Sequence, residues 1–159
     1  TVASEVLLFG DTGATIRPAL AAQPLLVSIQ PGAPPVHISH VRLLGRLRVE
    51  DAELRLSDCS IEVASQGLDE GRRLGTSAEE RALSVVGGSA ILKRTALSGH
   101  FAGAIFVSAA RLTLVECTVR DCHAQSGGAL LVSEGSNVTA RASIFADNSA
   151  EVSGGALQI

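Results

Sequence analysis

The chain has no Met, Trp or Tyr, and its four Phe residues are its only aromatics. Without Tyr or Trp there is no platform on which bases stack, and a net charge of −3 does not draw nucleic acid. Cysteine is scarce as well. Three is an odd number, so these residues do not form a closed disulfide framework, and they lack the paired CxxC spacing of a zinc site. Long hydrophobic runs are missing. The longest, Pro18–Ile29, is broken by Gln23 and Pro24 and is too short to span a bilayer. No nucleotide-binding glycine motif occurs, and no regular Thr-x-Thr face. The missing initiator Met, and a last strand that breaks off at Gln158-Ile159, lead to the expectation of a segment from a longer protein. No signal peptide is visible.

What the chain does have is small and branched side chains, 16 Gly, and a pattern that returns on itself. Gly127-Gly128-Ala129-Leu130 recurs as Gly154-Gly155-Ala156-Leu157. The segment from Gly45 to Ala64 aligns without a gap to that from Gly103 to Cys122. Leu47 matches Ile105, Val49 matches Val107, Leu54 matches Leu112, Leu56 matches Leu114, Cys59 matches Cys117 and Ile61 matches Val119. Leu83, Val85, Ala90, Leu92, Thr95 and Leu97 fit the same frame. So do Leu130, Val132, Val138, Ala140, Ser143 and Phe145, after a one-residue insertion near Ser136. Each frame holds three short alternating runs, and alternation means strands with one buried face. The equivalents Cys59, Thr95, Cys117 and Ser143 are 36, 22 and 26 residues apart. A circuit of about 22 residues stacked at the strand spacing is the pattern of a parallel β-helix.

The expected fold is therefore all-β: a single-stranded parallel β-helix of about six coils with three short strands each. Residues 1–159 form one domain. Coils 1–44 are irregular, with strands expected over Val6–Ile16 (interrupted by a glycine turn), Leu25–Ile29 and Val36–Leu44, and 45–159 are regular. The long step is taken up by the polar stretch Ser65–Arg81, read as a corner loop with one helical turn starting at Ser77. After the third strand the turn position holds Ala64, His100, Cys122 and Asn148. An Asn there can bond a neighbouring coil, but only one coil has it, so no full ladder is expected.

GGALLV…SIFADNSA…GGAL resembles the GGA[ILV] and FxxN repeats of the polymorphic outer membrane proteins, and more widely the pectin-lyase-like β-helix superfamily. The likeness is best over Gly103–Ile159, fair from Gly45, and only Phe145-Ala-Asp-Asn148 carries FxxN intact. It implies a right-handed helix, in agreement with the general rule for parallel crossovers. It also implies an extracellular or cell-surface setting and an adhesive role. In the wider superfamily it implies polysaccharide lyases and hydrolases that use clustered acids.

The residues give no catalytic constellation. Asp51, Asp58, Asp121 and Asp147 form no Asp-Asp pair and read as solvated turn acids. His37 and His40 are three apart on a strand and face opposite sides, while His100 and His123 read as turn residues. Cys59 and Cys117 share a column two strands apart, too far for a disulfide, and Cys117 and Cys122 flank one strand and meet only if the chain bends sharply between them, so the expectation is three buried small residues. The best binding candidate is the loop, where Arg72, Arg73 and Arg81, with Glu79 and Glu80, can meet an acidic sugar or a partner's carboxylates. Asn137-Val138-Thr139 is a glycosylation sequon in an exposed turn. The expected function is a non-catalytic surface module with a structural, adhesion or ligand-presenting role, without metal or cofactor. Its partners are a polysaccharide or another surface protein, and the neighbouring coils of the same longer chain. The alternative is part of a polysaccharide lyase or glycoside hydrolase.

Overall fold

The alternating runs become strands, and every strand pairs in parallel. A computed structural model describes residues 6–16, 26–62, 81–133 and 135–159 and contains no helix among them. The first strands are β1 (Val6–Ile16), β2 (Leu26–Ile29) and β3 (Val36–Leu44). Then come β4 (Arg46–Glu50), β5 (Glu53–Ser57) and β6 (Ser60–Glu62), followed by β7 (Leu83–Val86), β8 (Ser89–Lys93) and β9 (Ala96–Ser98). The next repeat is β10 (Ile105–Ser108), β11 (Arg111–Val115), β12 (Thr118–Arg120) and β13 (His123–Ser126). The last strands are β14 (Leu130–Val132), β15 (Asn137–Arg141), β16 (Ile144–Ala146), β17 (Ser149–Ser153) and β18 (Leu157–Gln158).

One sheet runs β18-β14-β10-β7-β4-β2. A second is curled and runs β15-β11-β8-β5-β3-β6-β9-β12-β16, with β1 beside β3. The curl passes through β3, whose first half pairs with β5 and whose second half pairs with β6. The bend between the halves is His40, in the left-handed region at φ 58°. β13 and β17 form a third, two-stranded sheet that the alternation did not announce, because the polar residues His123, Gln125 and Ser126 dominate β13. β1 is one strand with a register shift between Phe9 and Ala14, not two strands parted by a glycine turn.

The strand register reproduces the sequence alignment residue by residue. Leu47, Leu83, Ile105, Leu130 and Leu157 are successive partners. So are Leu54, Ala90, Leu112 and Val138, and likewise Ile61, Leu97, Val119 and Phe145. The central members of these rows, Leu83, Leu97, Ile105, Leu112 and Val119, are wholly buried in one apolar cluster. Burial of such side chains, at roughly 25 cal/mol per Å² of apolar surface, is the main source of stability.

Between strands the chain turns by single left-handed residues. Asp51, Gly87 and Ala109 occupy one corner. Asp58, Arg94, Glu116 and Ala142 occupy the second, and Gly99, Asp121 and Asp147 the third. A left-handed L-residue costs about 1 kcal/mol, least for Asp, which is why short polar residues recur there. The residue after each second-corner turn reaches back to the carbonyl two positions before it. Cys59 bonds Ser57 O, Thr95 bonds Lys93 O, Cys117 bonds Val115 O and Ser143 bonds Arg141 O, at 3.0–3.4 Å. The mixed column of Cys, Thr, Cys and Ser thus holds one job: a small side chain with a weak donor.

The Gly-Gly-Ala motif has two distinct reasons. Gly127 has φ +57°. Gly128 has an ordinary φ, but a Cβ on it would lie 2.3 Å from both Ser149 O and Gly155 O of the adjoining repeat. A substitution there must push the two repeats apart, so Gly128→Val is expected to cost about 3 kcal/mol. Leu112→Ala, in the middle of a buried row, is expected to cost about 2–5 kcal/mol, and Val138→Ala less, because Val138 is only partly buried. Urea unfolding midpoints of the three variants check this ranking.

Candidate functional site

Of the binding residues read from the loop, Arg72, Arg73, Glu79 and Glu80 lie outside the described residues, as does the helical turn expected at Ser77. Arg81 is described, and it does not project as a loop residue. It is 4% exposed, so its guanidinium is not open to an acidic sugar. Asn137 is exposed at the start of β15, its amide bonded to Ala110 O, and Thr139 is exposed on the same face of the strand. The sequon therefore lies in a strand directly after the turn and is open to solvent.

Arg81 lies just before β7, yet its guanidinium acts two repeats further on. Nη1 donates to Gly127 O at 2.6 Å and to Ile105 O at 3.3 Å, and Nη2 donates to Ser126 O. It reaches them past Gly103, where a Cβ would sit 2.3 Å from Nη1. The place matters because the repeats differ in length here. Only Phe101, Ala102 and Gly103 separate His100 from Ala104, while the adjoining repeat needs the extra strand β13 to cover the same ground. Arg81 fills the mismatch with donors. Among the described residues no carboxylate bonds it, and burial pulls its guanidinium down to about 10, so it stays charged at neutral pH.

His100 follows the left-handed Gly99 at the third corner and is 4% exposed. Its Nε2 lies 3.1 Å from Ile61 O. A carbonyl only accepts, so Nε2 carries the hydrogen. Asn148 makes the matching bond at the same corner two repeats on: Nδ2 donates to Val119 O at 2.9 Å, and Oδ1 accepts from Cys122 N at 3.1 Å. Ile61 and Val119 belong to one row, so His100 does the work expected of an Asn. Cys122, between them in the column, bonds Arg120 O instead. Burial drives the His100 imidazole down to about 4, against an opposing pull from its hydrogen bond to Ile61 O, with smaller and opposite effects from Arg46, which lowers it, and Glu62, which raises it.

The remaining candidates are surface or packing groups. Asp58 is bound by Arg94 at 2.6 and 2.8 Å, and this hydrogen-bonded guanidinium holds its carboxyl below the usual range. Asp121 lies 3.7 Å from Arg120. The three cysteines are free and buried, and burial raises each thiol above its ordinary value. They pack as small residues and are not poised as thiolates. Among the described residues no group of three or more His, Cys, Asp or Glu stands where it could hold a metal. No described helix is long and apolar enough to cross a membrane. An apolar cavity between β2–β6, lined by Val27, Ile38, Leu47, Leu56 and Ile61, presents almost no polar atoms to a ligand. No protein-family model, no curated protein and no solved structure matches the chain.

Two predictions follow from these side chains. Arg81→Met leaves carbonyls without their donors and is expected to lower stability by about 1–3 kcal/mol. Gly103→Ala displaces the same guanidinium, so the double variant should lose less than the sum of the two, a coupling that denaturant titration of all four proteins reads directly. For His100, the folded pKa lies below the unfolded value near 6.5. The unfolded chain therefore takes up a proton first as pH falls. Its contribution is intact above about pH 6.5 and is lost between there and about pH 4, by up to roughly 3 kcal/mol. His100→Asn should keep the bond to Ile61 O and flatten that part of the stability–pH curve.

Proposed function

We propose that the chain is a right-handed, single-stranded parallel β-helix, a solenoid of about six coils of roughly 22 residues, akin to the pectin-lyase-like superfamily and to polymorphic outer membrane protein repeats. Its role is that of a non-catalytic module at the cell surface or outside the cell, which holds its faces and corners out to a partner. One observation carries the reading. Residues one repeat apart are direct parallel partners on all three kinds of strand, as Leu83–Ile105, Leu92–Leu114 and Leu97–Val119 are. A chain built this way offers long, regular outer faces on a rigid frame, which suits presentation of a surface. Chemistry would need titratable groups gathered at one place. Among the described residues the carboxylates at the corners are paired with arginines (Asp58, Asp121) or set apart, and the buried His100 is engaged with a backbone carbonyl.

The test is a glycan array probed with the chain, with and without calcium, followed by viscometry on any polysaccharide bound. Binding without cleavage is the expected result. A calcium-dependent fall in viscosity would sink the non-catalytic reading in favour of a lyase or hydrolase. A blank array would turn the search for partners to proteins.

A further inference from the structure

The outward face of β5, β8, β11 and β15 differs in charge from the rest of the molecule. Its side chains are set by the strand register. Glu53, Ser89, Arg111 and Asn137 form one row, Arg55, Ile91, Thr113 and Thr139 the next, and Ser57, Lys93, Val115 and Arg141 the third. Arg55 is taken by Glu53, and Arg94, at the neighbouring corner, by Asp58. Lys93, Arg111 and Arg141 are exposed and make no ion pair among the described residues. Glu116, at the same corner, is the one carboxylate left over there. With Asp51 at the opposite corner included, five cations against four carboxylates leave this face at +1, while the whole chain carries −3.

The spacing of the three free cations follows from sheet geometry. Lys93 and Arg141 stand in one row two strands apart, roughly 9.6 Å, and Arg111 stands four residues along its strand, roughly 13 Å away. Lys93 and Arg141 lie about one screening length apart and Arg111 lies beyond one from both, so a ligand laid across the face meets three separate charges and must reach each of them. Two of the three are arginines, whose planar forks take carboxylates in pairs of hydrogen bonds. Between them stand the hydroxyl groups of Thr113 and Thr139 and no aromatic ring on which a sugar would stack.

We infer that this face docks an acidic protein segment, whose carboxylates pair with Lys93, Arg111 and Arg141. The inference rests on the reading of the chain as a surface-presenting module and names one face and one partner chemistry for it.

The test is titration of the folded chain with poly-L-glutamate as a probe, at low and at raised salt, with heparin run beside it. The variants are Lys93→Gln/Arg111→Gln/Arg141→Gln, the same three positions changed to Glu, and Arg72→Glu/Arg73→Glu as a comparator. Circular dichroism checks each fold, and the Gln set keeps the test open where the Glu set does not fold. The expected result is binding of poly-L-glutamate that weakens with salt, drops about tenfold or more in the triple variants and survives in the comparator. The inference is overturned if poly-L-glutamate does not bind, if the triple variants bind as well as the parent, if only the comparator loses binding, or if heparin alone binds. None of these outcomes touches the non-catalytic reading, which falls only on cleavage of a polysaccharide.

Discussion

The structure depends on one constraint: each repeat must set its inward side chains against the same side chains of the repeat before it. Parallel pairing leaves little freedom here, because a slip of one residue would turn every apolar side chain outward. Leu92, Leu112 and Leu114 are wholly buried only because β8 and β11 hold register over their full length. The rest of the described structure keeps the repeats in register. Left-handed residues place the corners, small donors cover the carbonyls that those corners expose, and glycines admit the adjoining backbone.

Where repeats differ in length, the difference must be absorbed locally. The longest step between repeats, from Cys59 to Thr95, passes through residues 63–80, which lie outside the described residues. The shorter mismatch, at Phe101–Gly103 against β13, is met from within by Arg81. That is an expensive solution on its face. A guanidinium with no carboxylate among the described residues loses water, and its bonds are to neutral carbonyls. It is tolerable because several strong donors converge on carbonyls that would otherwise lie buried without that partner, and because Arg gives up its proton less readily than any other side chain. A Lys in the same place has the charge but not the fork.

Much of this was legible in the sequence, and the reason is physical. Inward positions of stacked strands must be apolar, so the alignment of Leu47, Val49, Leu54 and Leu56 with Ile105, Val107, Leu112 and Leu114 was already the register of the sheets. The expectation of buried, unpaired cysteines followed from the same column. What was not legible is whatever depends on a side chain crossing between repeats. Arg81 sits at the end of a polar stretch beside Glu79 and Glu80, where composition speaks for solvent, and nothing local says that Gly103 leaves it a passage. His100 replaces an Asn by matching one hydrogen bond, a likeness of geometry that residue types do not display. β13 is polar along most of its length, so alternation could not reveal it. The one available signal for Arg81 was the shortened link His100–Ala104, which implied that something else had to fill the gap.

The same logic separates what the fold needs from what it leaves over. Arg81, His100, Thr95 and the cysteines are consumed by backbone carbonyls, and Asp58 by Arg94. These groups are polar, but they are not available. Lys93, Arg111 and Arg141 have no such employment among the described residues, and neither the core nor the corners require a charge at their positions. Their partners in the same rows are Ser57, Ser89, Val115 and Asn137, which fold equally well there. A repeat protein is free to vary on its outer faces while its inner rows stay fixed, so residues that serve the fold and residues that serve a partner are separated by the pleat itself. Here the pleat puts three unspent cations, Lys93, Arg111 and Arg141, on one side of one sheet, and that side is where recognition has room to act.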